Sequence, residues 1–397
     1  MTQRSQTGLF ELFIVTAPGL APLCAGEVQG NALLAGLQSP QVETGGVAVR
    51  GDLAALYSAN LHLRTASRIL VRLGEFHAEN FTQLRTRAAL LDWEKYLRPG
   101  CAVDLRVTSH KSRLYHTGAV AERVASAIDD RLGQAPPLEK YDEEIDEPGA
   151  QLIVVRLLYD TCTISIDASG ALLHRRGYRL ATAKAPLRET LAAGLLLASG
   201  WDAVAAPPLL DPFCGSGTIP IEGAMLALQL APGRNRHFAF MDWPGFDVAV
   251  WQALLDAADA QARVRREQLD GRLVIQGSDR DAGAIEAAQA NARRAGVGDA
   301  VAFSCHAVSA ITPPATPGYV VTNPPYGQRV HGGADLRNLY AQLGKVLRAR
   351  CPGWHVALLS TDRALLGQTN LRLDTSLTFV NGGLDVIVAR GMIGQAG

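Results

Sequence analysis

From residue 208 onward the chain alternates between two hydrophobic periods. Short apolar runs, PLLD (208–211), RLVIQGSD (272–279), AVAFSC (300–305), GYVVTN (318–323) and HVALLS (355–360), are separated by stretches of helical length. Strands that alternate with helices predict a parallel sheet covered on both faces. RLDTSLTFV (372–380) and LDVIVARG (384–391) follow with only NGG between them, which predicts a closing antiparallel hairpin and seven strands in a doubly wound fold. One helix has readable ends: Asp281 caps AGAIEAAQANARRAG, and Gly296 stops it.

The first half reads differently. LFELFIVTA (9–17) and GVAVRG (46–51) predict strands, and LAPLCAGEVQ (20–29) and HTGAVAERVASAIDDRLG (116–133) predict helices. QLIVVRLLYDTCTISIDAS (151–169) predicts a strand pair turning at Tyr159-Asp160. This is α+β material without a glycine-rich loop. The acidic run EKYDEEIDEP (139–148) reads as a solvated loop, and HRRGYRLATAKAPLRE (174–189) as a basic linker.

Composition narrows the options. With 397 residues, 48% hydrophobic and 19% charged, the chain is expected to be a soluble protein of more than one domain. Lys+Arg and Asp+Glu both total 38, so a nucleic acid would have to be held by a local patch. No apolar run approaches the roughly 18–20 residues of a membrane span. MTQRSQTGLFELFIV lacks a signal-peptide layout, so the cytoplasm is the expected location. Six cysteines without a CxxC pair and nine histidines without HExxH predict no metal.

DPFCGSGT (211–218) sits between a predicted strand and a predicted helix. It is neither GxGxxG nor GxxxxGK[ST]. Gly215 and Gly217 let backbone approach a ligand, and Asp279, closing the next strand, suits ribose hydroxyls. Asp211 places an acid at the strand tip, where a pyrophosphate would be repelled and a methionine-type cation attracted. The expected cofactor is therefore S-adenosylmethionine.

TNPPY falls at the end of the fourth strand of this half. Pro324 and Pro325 remove two backbone donors and hold a rigid loop whose carbonyls remain free. With the Asn323 side-chain carbonyl, they suit the –NH2 of a planar base that could stack on Tyr326. Methylation of a base amine needs positioning and no covalent enzyme intermediate. Cys351, the only Cys-Pro pair, follows a helix and reads as structural, as does Cys214.

Together these residues resemble the THUMP-domain RNA guanine-N2 methyltransferases. GGVAVRGDL and NLHLRTASRILVRLGEF (within 45–76), DASGALLHRRGYRLATAKAPLRETLAAGLLLASGW (167–201), DPFCGSGTIPIEGAMLA, GSDRDAGAIEAAQANARRAGV and VVTNPPYGQRV carry the likeness nearly end to end. The resemblance implies an α/β class, with a C-terminal Rossmann-like seven-stranded methyltransferase domain preceded by α+β ferredoxin-like and THUMP domains. The implied segments are 1–65 (ferredoxin-like), 66–170 (THUMP, RNA-binding), 171–188 (basic linker) and 189–397 (methyltransferase). It implies that Asp211, Pro212, Phe213, Cys214, Gly215, Ser216, Gly217, Thr218, Asp279 and Arg280 form the cofactor site and Asn323, Pro324, Pro325 and Tyr326 the catalytic loop. APLRET (185–190) matches the segment over the methionine end. Two departures stand out. Phe213 replaces a common Met, and the family's adenine-contacting Asp is Ala307 here, with His306 beside it as a candidate substitute. The second methyltransferase module fused in some relatives is not expected in this chain.

Two basic stretches are candidate RNA contacts: Lys111 and Arg113 in RVTSHKSRLYHTG (106–118), and Arg175, Arg176 and Arg179 with Lys184 in the linker. Taken singly, each basic residue also reads as an ordinary solvated charge. The expected reaction is N2 methylation of guanosine in 23S ribosomal RNA, with transfer RNA as the rival substrate. Remoter alternatives are methylation of adenine-N6 on DNA or of a protein glutamine amide, and a non-catalytic RNA-binding module.

Overall fold

The computed structural model describes residues 8–142, 149–180, 187–326 and 333–394. The chain clusters into two compact units. The first takes in residues up to Thr16, Ala25–Leu173 and Gly233–Leu254; the second takes in Ala17–Cys24, His174–Pro232 and residues from Leu255 on.

In chain order the described elements are β1 (Phe10–Thr16), α1 (Ala21–Gly30), β2 (Gln38–Glu43), β3 (Gly46–Gly51), α2 (Leu53–His62), β4 (Ala66–His77), α3 (Phe81–Ala88), β5 (Val103–His110), α4 (Thr117–Leu132), β6 (Gln151–Leu158), β7 (Thr161–Asp167), α5 (Glu189–Ser199), β8 (Leu209–Asp211), α6 (Thr218–Ala227), α7 (Val248–Leu269), β9 (Ile275–Asp279), α8 (Ala282–Arg294), β10 (Ala302–Cys305), β11 (Tyr319–Thr322), α9 (Gly333–Arg350), β12 (His355–Ser360), α10 (Arg363–Gln368), β13 (Asp374–Asn381) and β14 (Leu384–Met392).

The first unit is built on one sheet of order β2-β3-β1-β4-β7-β6-β5. The segments 1–65 and 66–170 share this sheet, because β4 pairs antiparallel with β1 on one side and β7 on the other. β6 and β7 form the expected hairpin, with Tyr159 and Asp160 both at positive φ. Gly233–Leu254, which the sequence grouped with the last domain, clusters with the first unit. Burial of its aromatic side chains is the physical reason: Tyr57 and Phe240 stack with centroids 4.3 Å apart, and Trp251 meets Tyr57 edge-on at 6.2 Å.

The second unit carries the other sheet, β10-β9-β8-β11-β12-β14-β13, parallel except where β14 runs antiparallel to β12 and β13. Side-chain alternation builds two cores from one set of strands. Leu209, Val321, Ala357, Leu359 and Val388 pack with α5 and α6. Leu210, Val320, Val356, Leu358 and Ala389 pack with α9 and α10. Chain order reverses between β8 and β11, which pair with each other. That reversal opens a crevice beyond their C-terminal ends, where open α/β sheets bind ligands. The Asp281 cap on α8 is present, its Oδ1 accepting from the Gly283 and Ala284 amides.

Candidate active site

Asp211, Asp279 and Thr322 end three adjacent strands, β8, β9 and β11. Asp211 is fully buried. Its Oδ1 accepts from the Thr322 hydroxyl at 2.5 Å and from the Phe213 amide at 3.1 Å. It makes no ion pair among the described residues. Burial pushes its carboxyl up to about 7, against the opposing pull of those two hydrogen bonds, and the Asp279 charge adds to the rise.

The turn after β8 is shaped around this carboxylate. Gly215 (φ 51°) and Gly217 (φ 86°) take the left-handed backbone that glycine adopts without strain. A Cβ on Gly217 would also stand 2.9 Å from the Ala288 Cβ. Asp279 bridges the turn and the next loop, Oδ2 accepting from the Gly215 amide at 3.1 Å and Oδ1 from the Asp281 amide at 3.0 Å. Cys214 is buried and its amide donates to the Ser278 carbonyl at 3.0 Å, while Pro212, Ser216 and Thr218 are buried and Phe213 packs on the α9 side. Arg280 is exposed. The His306 amide donates to the Asp279 carbonyl at 2.9 Å. Its ring contacts are local, Nε2 with Ser304 Oγ at 3.0 Å and Nδ1 with the Ala307 carbonyl at 3.1 Å. Ala307 offers only exposed backbone.

Beyond β11, Pro324 is buried, Pro325 exposed, and Tyr326 half-buried against the core. Asn323 holds the most informative atom of the site. Its Oδ1 is shut off from solvent and has no hydrogen-bond partner among the described residues. A buried carbonyl oxygen left this way costs about 1–3 kcal/mol, so the loop holds an acceptor with no donor among the described residues. Ser278 Oγ, one residue before Asp279, is a second such atom.

Three residues bearing on the site escaped the sequence reading. Thr322 holds Asp211. Asn291 of α8, fully buried, donates through Nδ2 to the Ser216 carbonyl at 3.0 Å, and Arg294 contacts Asn291 Oδ1 and donates to the Tyr178 carbonyl at 2.7 Å. A lone Asn on an alanine-rich buried face was the available signal for this arrangement.

The linker basics need correction. Arg176 is not a surface residue: its side chain is 2% exposed and lies 3.5 Å from Glu222 Oε1, which also accepts from the Tyr178 hydroxyl at 3.0 Å. Arg179 Nη2 pairs with Glu189 at 3.1 Å, and its Nη1 donates to the Leu187 carbonyl at 2.7 Å. Two buried acids, Glu189 and Glu222, draw these guanidiniums inward. Arg175 is half-exposed, and Lys111 and Arg113 are exposed in the first unit. Lys184, and Ala185 and Pro186 of APLRET, lie outside the described residues, as does Gly327 after the NPPY loop. Arg176→Glu is therefore expected to cost stability, about 3–5 kcal/mol from a broken buried pair, rather than RNA affinity alone. A thermal melt checks this; an unchanged melt with selective loss of RNA binding would return Arg176 to the surface.

Comparison with known proteins places this geometry. The family described as RMKL-like, methyltransferase domain, matches residues 176–388, and the RlmL ferredoxin-like domain matches residues 11–70. The chain is 36% identical over 387 residues to the ribosomal RNA large subunit methyltransferase K/L of Psychromonas ingrahamii, covering 96% of this chain and 50% of that protein. It thus spans about half the length of that curated relative. Among solved structures, SMU.472, complexed with SAH, superposes with a TM-score of 0.83 at 31% identity, covering 99% of this chain and 100% of that one. A Listeria monocytogenes protein named as a predicted N6-adenine-specific DNA methylase gives 0.82 at 34% identity, covering 96% of each chain. TrmN from Thermus thermophilus, at 20% identity and a TM-score of 0.69 over 96% of this chain and 98% of its own, shares the fold. With more than half its length matched and two solved relatives above 30% identity end to end, this chain belongs to the RMKL-like methyltransferase family.

Proposed function

We propose that this chain transfers a methyl group from S-adenosylmethionine to the exocyclic N2 amine of a guanosine in 23S ribosomal RNA. The single observation that carries the reading is the buried, unpartnered Asn323 Oδ1 at the end of β11. An exocyclic –NH2 is the donor such an acceptor lacks.

The residues present fit the cofactor. Asp211 is a buried carboxylate without a cationic partner, and the cofactor carries positive charge on its methionine end. When bound, S-adenosylmethionine supplies an electrophilic methyl group. Asp279 keeps the glycine turn open through Gly215, and its position at the tip of β9 suits ribose hydroxyls. Asn323 Oδ1 and the Pro324 carbonyl accept hydrogen bonds from the two amine N–H groups. That withdraws the amine lone pair from the ring and aims it out of the base plane, while Tyr326 offers a face to stack the base. Positioning supplies the catalysis, and the proton released from nitrogen passes to solvent after transfer.

Ribosomal RNA is favoured by the name of the Psychromonas relative, and such a substrate sets the chain to work in the cytoplasm. Residues 66–170 are proposed as the RNA-binding THUMP part, with Lys111 and Arg113 at its RNA-facing corner, and Arg175, in the linker beyond it, as a separate basic contact. The name of the Listeria relative favours a second reading, an adenine amine, on the same geometry. Labelled S-adenosylmethionine with ribosomal RNA, transfer RNA and DNA from a strain lacking the gene tests both, with the product nucleoside identified by mass spectrometry. N2-methylguanosine in large-subunit RNA is expected. The same product in transfer RNA overturns the substrate, and N6-methyladenine overturns the base.

A further inference from the structure

In the first unit, the loop 110–116 and the hairpin turn at Tyr159–Asp160 are stapled together. The Asp160 amide donates to Ser112 Oγ at 2.9 Å, the Arg113 amide to Asp160 Oδ1 at 2.6 Å, and the Tyr159 amide to the His110 carbonyl at 3.2 Å. Three residues of this corner, Lys111 (φ 50°), Tyr159 (φ 49°) and Asp160 (φ 61°), hold left-handed backbone. A two-residue turn with both φ positive is formed most readily by Asn-Gly. The chain places a tyrosine there instead, and backbone strain of this kind concentrates at functional sites.

The side chain so presented is not packed. Tyr159 is 60% exposed and Tyr115, in the facing loop, 68%. Lys111 Nζ lies 5.3 Å from the Tyr159 ring centre and donates to its hydroxyl at 3.0 Å. The Tyr115 ring sits 4.2 Å from that of His116. The charges of the corner are largely engaged: Arg113 pairs with Glu79 at 2.5 Å and lies 4.0 Å from Asp160. Arg113 is neutralised by its carboxylates, Lys111 keeps its charge against a neutral phenol, and beside it two aromatic faces are open to solvent.

We propose that Tyr159 and Tyr115 form a stacking platform for unpaired bases of the RNA substrate. The proposal rests on the RNA reading above and refines it, since a corner with neutralised arginine binds by stacking rather than by phosphate attraction. Bases within a duplex have no free face, so the platform selects single-stranded RNA.

The test compares the full chain with Tyr159→Ala, Tyr115→Ala and Tyr159→Phe by fluorescence anisotropy, using a labelled unstructured oligoribonucleotide and a duplex of the same composition over a range of salt. Each Ala variant is expected to weaken single-strand binding about tenfold, with an unchanged salt slope, unchanged duplex binding and unchanged cofactor affinity. Tyr159→Phe is expected to bind as the unsubstituted chain, because the ring is kept. Unchanged single-strand affinity in both Ala variants overturns the proposal, and so does a loss shared equally by duplex. A reduced salt slope would assign the corner to phosphate contact instead and also overturn it. If the unsubstituted chain binds neither RNA, the RNA reading itself fails, which is a separate outcome.

Discussion

Asn323→Ala is expected to lower methyl transfer by about 10²–10³-fold, the range seen when one preorganised hydrogen-bonding group is removed from an active site, while cofactor affinity stays within about twofold. The argument is the environment of Oδ1, buried and without a partner among the described residues. Removing an unsatisfied buried acceptor relieves the fold of about 1–3 kcal/mol. The variant should therefore melt at or above the temperature of the unsubstituted chain. A residue kept for stability gives the opposite pattern. Single-turnover transfer, cofactor titration and a thermal melt on one preparation separate the cases; a lowered melting temperature with parallel loss of cofactor binding would make Asn323 structural.

Asp211→Asn is expected to trade cofactor affinity for stability. Asn keeps an Oδ1 able to accept from Thr322 and Phe213, so the local hydrogen bonds survive. It removes a charge that burial penalises. The Asp211 carboxyl titrates near 7 in the fold against 3.8 unfolded. Its contribution to stability is fully present below 3.8 and is lost as pH rises through 7, amounting to about 4 kcal/mol at most. Denaturant midpoints should therefore show the unsubstituted chain falling behind Asp211→Asn from pH 4 to pH 8. Cofactor binding should show the reverse sign. The ionised carboxylate is the form that attracts a cation, so affinity should decline as pH drops below 7. In Asp211→Asn this component should vanish and affinity should sit about 10–100-fold lower, as expected for loss of a hydrogen bond to a charged group. Glu189, buried and pushed up to about 7 mainly by desolvation, is common to both proteins, so the difference between them isolates Asp211. Coincident pH profiles would remove Asp211 from the cation-binding role.

The local signals in this chain were strong where chemistry depends on neighbours in sequence. The strand runs of 208–391, the Asp281 cap, the glycine turn of 211–218 and the loop at 323–326 were all legible, because periodicity, capping and turn conformation are short-range. Those runs also placed Asp211, Asp279 and Asn323 at strand ends, and a doubly wound order then brings strand ends together. Pairing decided the rest. Nothing local says that β4 joins residues 1–65 and 66–170 into one sheet, or that the aromatic side chains of Gly233–Leu254 bury in the first unit.

The same limit governs the charges. HRRGYR reads as a basic surface, since the carboxylate that buries Arg176, Glu222, lies on α6 well along the chain, and Arg179 turns back onto Glu189 at the end of its own stretch only once α5 is packed. Whether a charge faces water depends on its partner in space, and pairing in space is set by long-range packing. Sequence determined which groups could act; the tertiary structure decided which of them are engaged with one another and which, like Asn323 Oδ1, find no partner among the described residues.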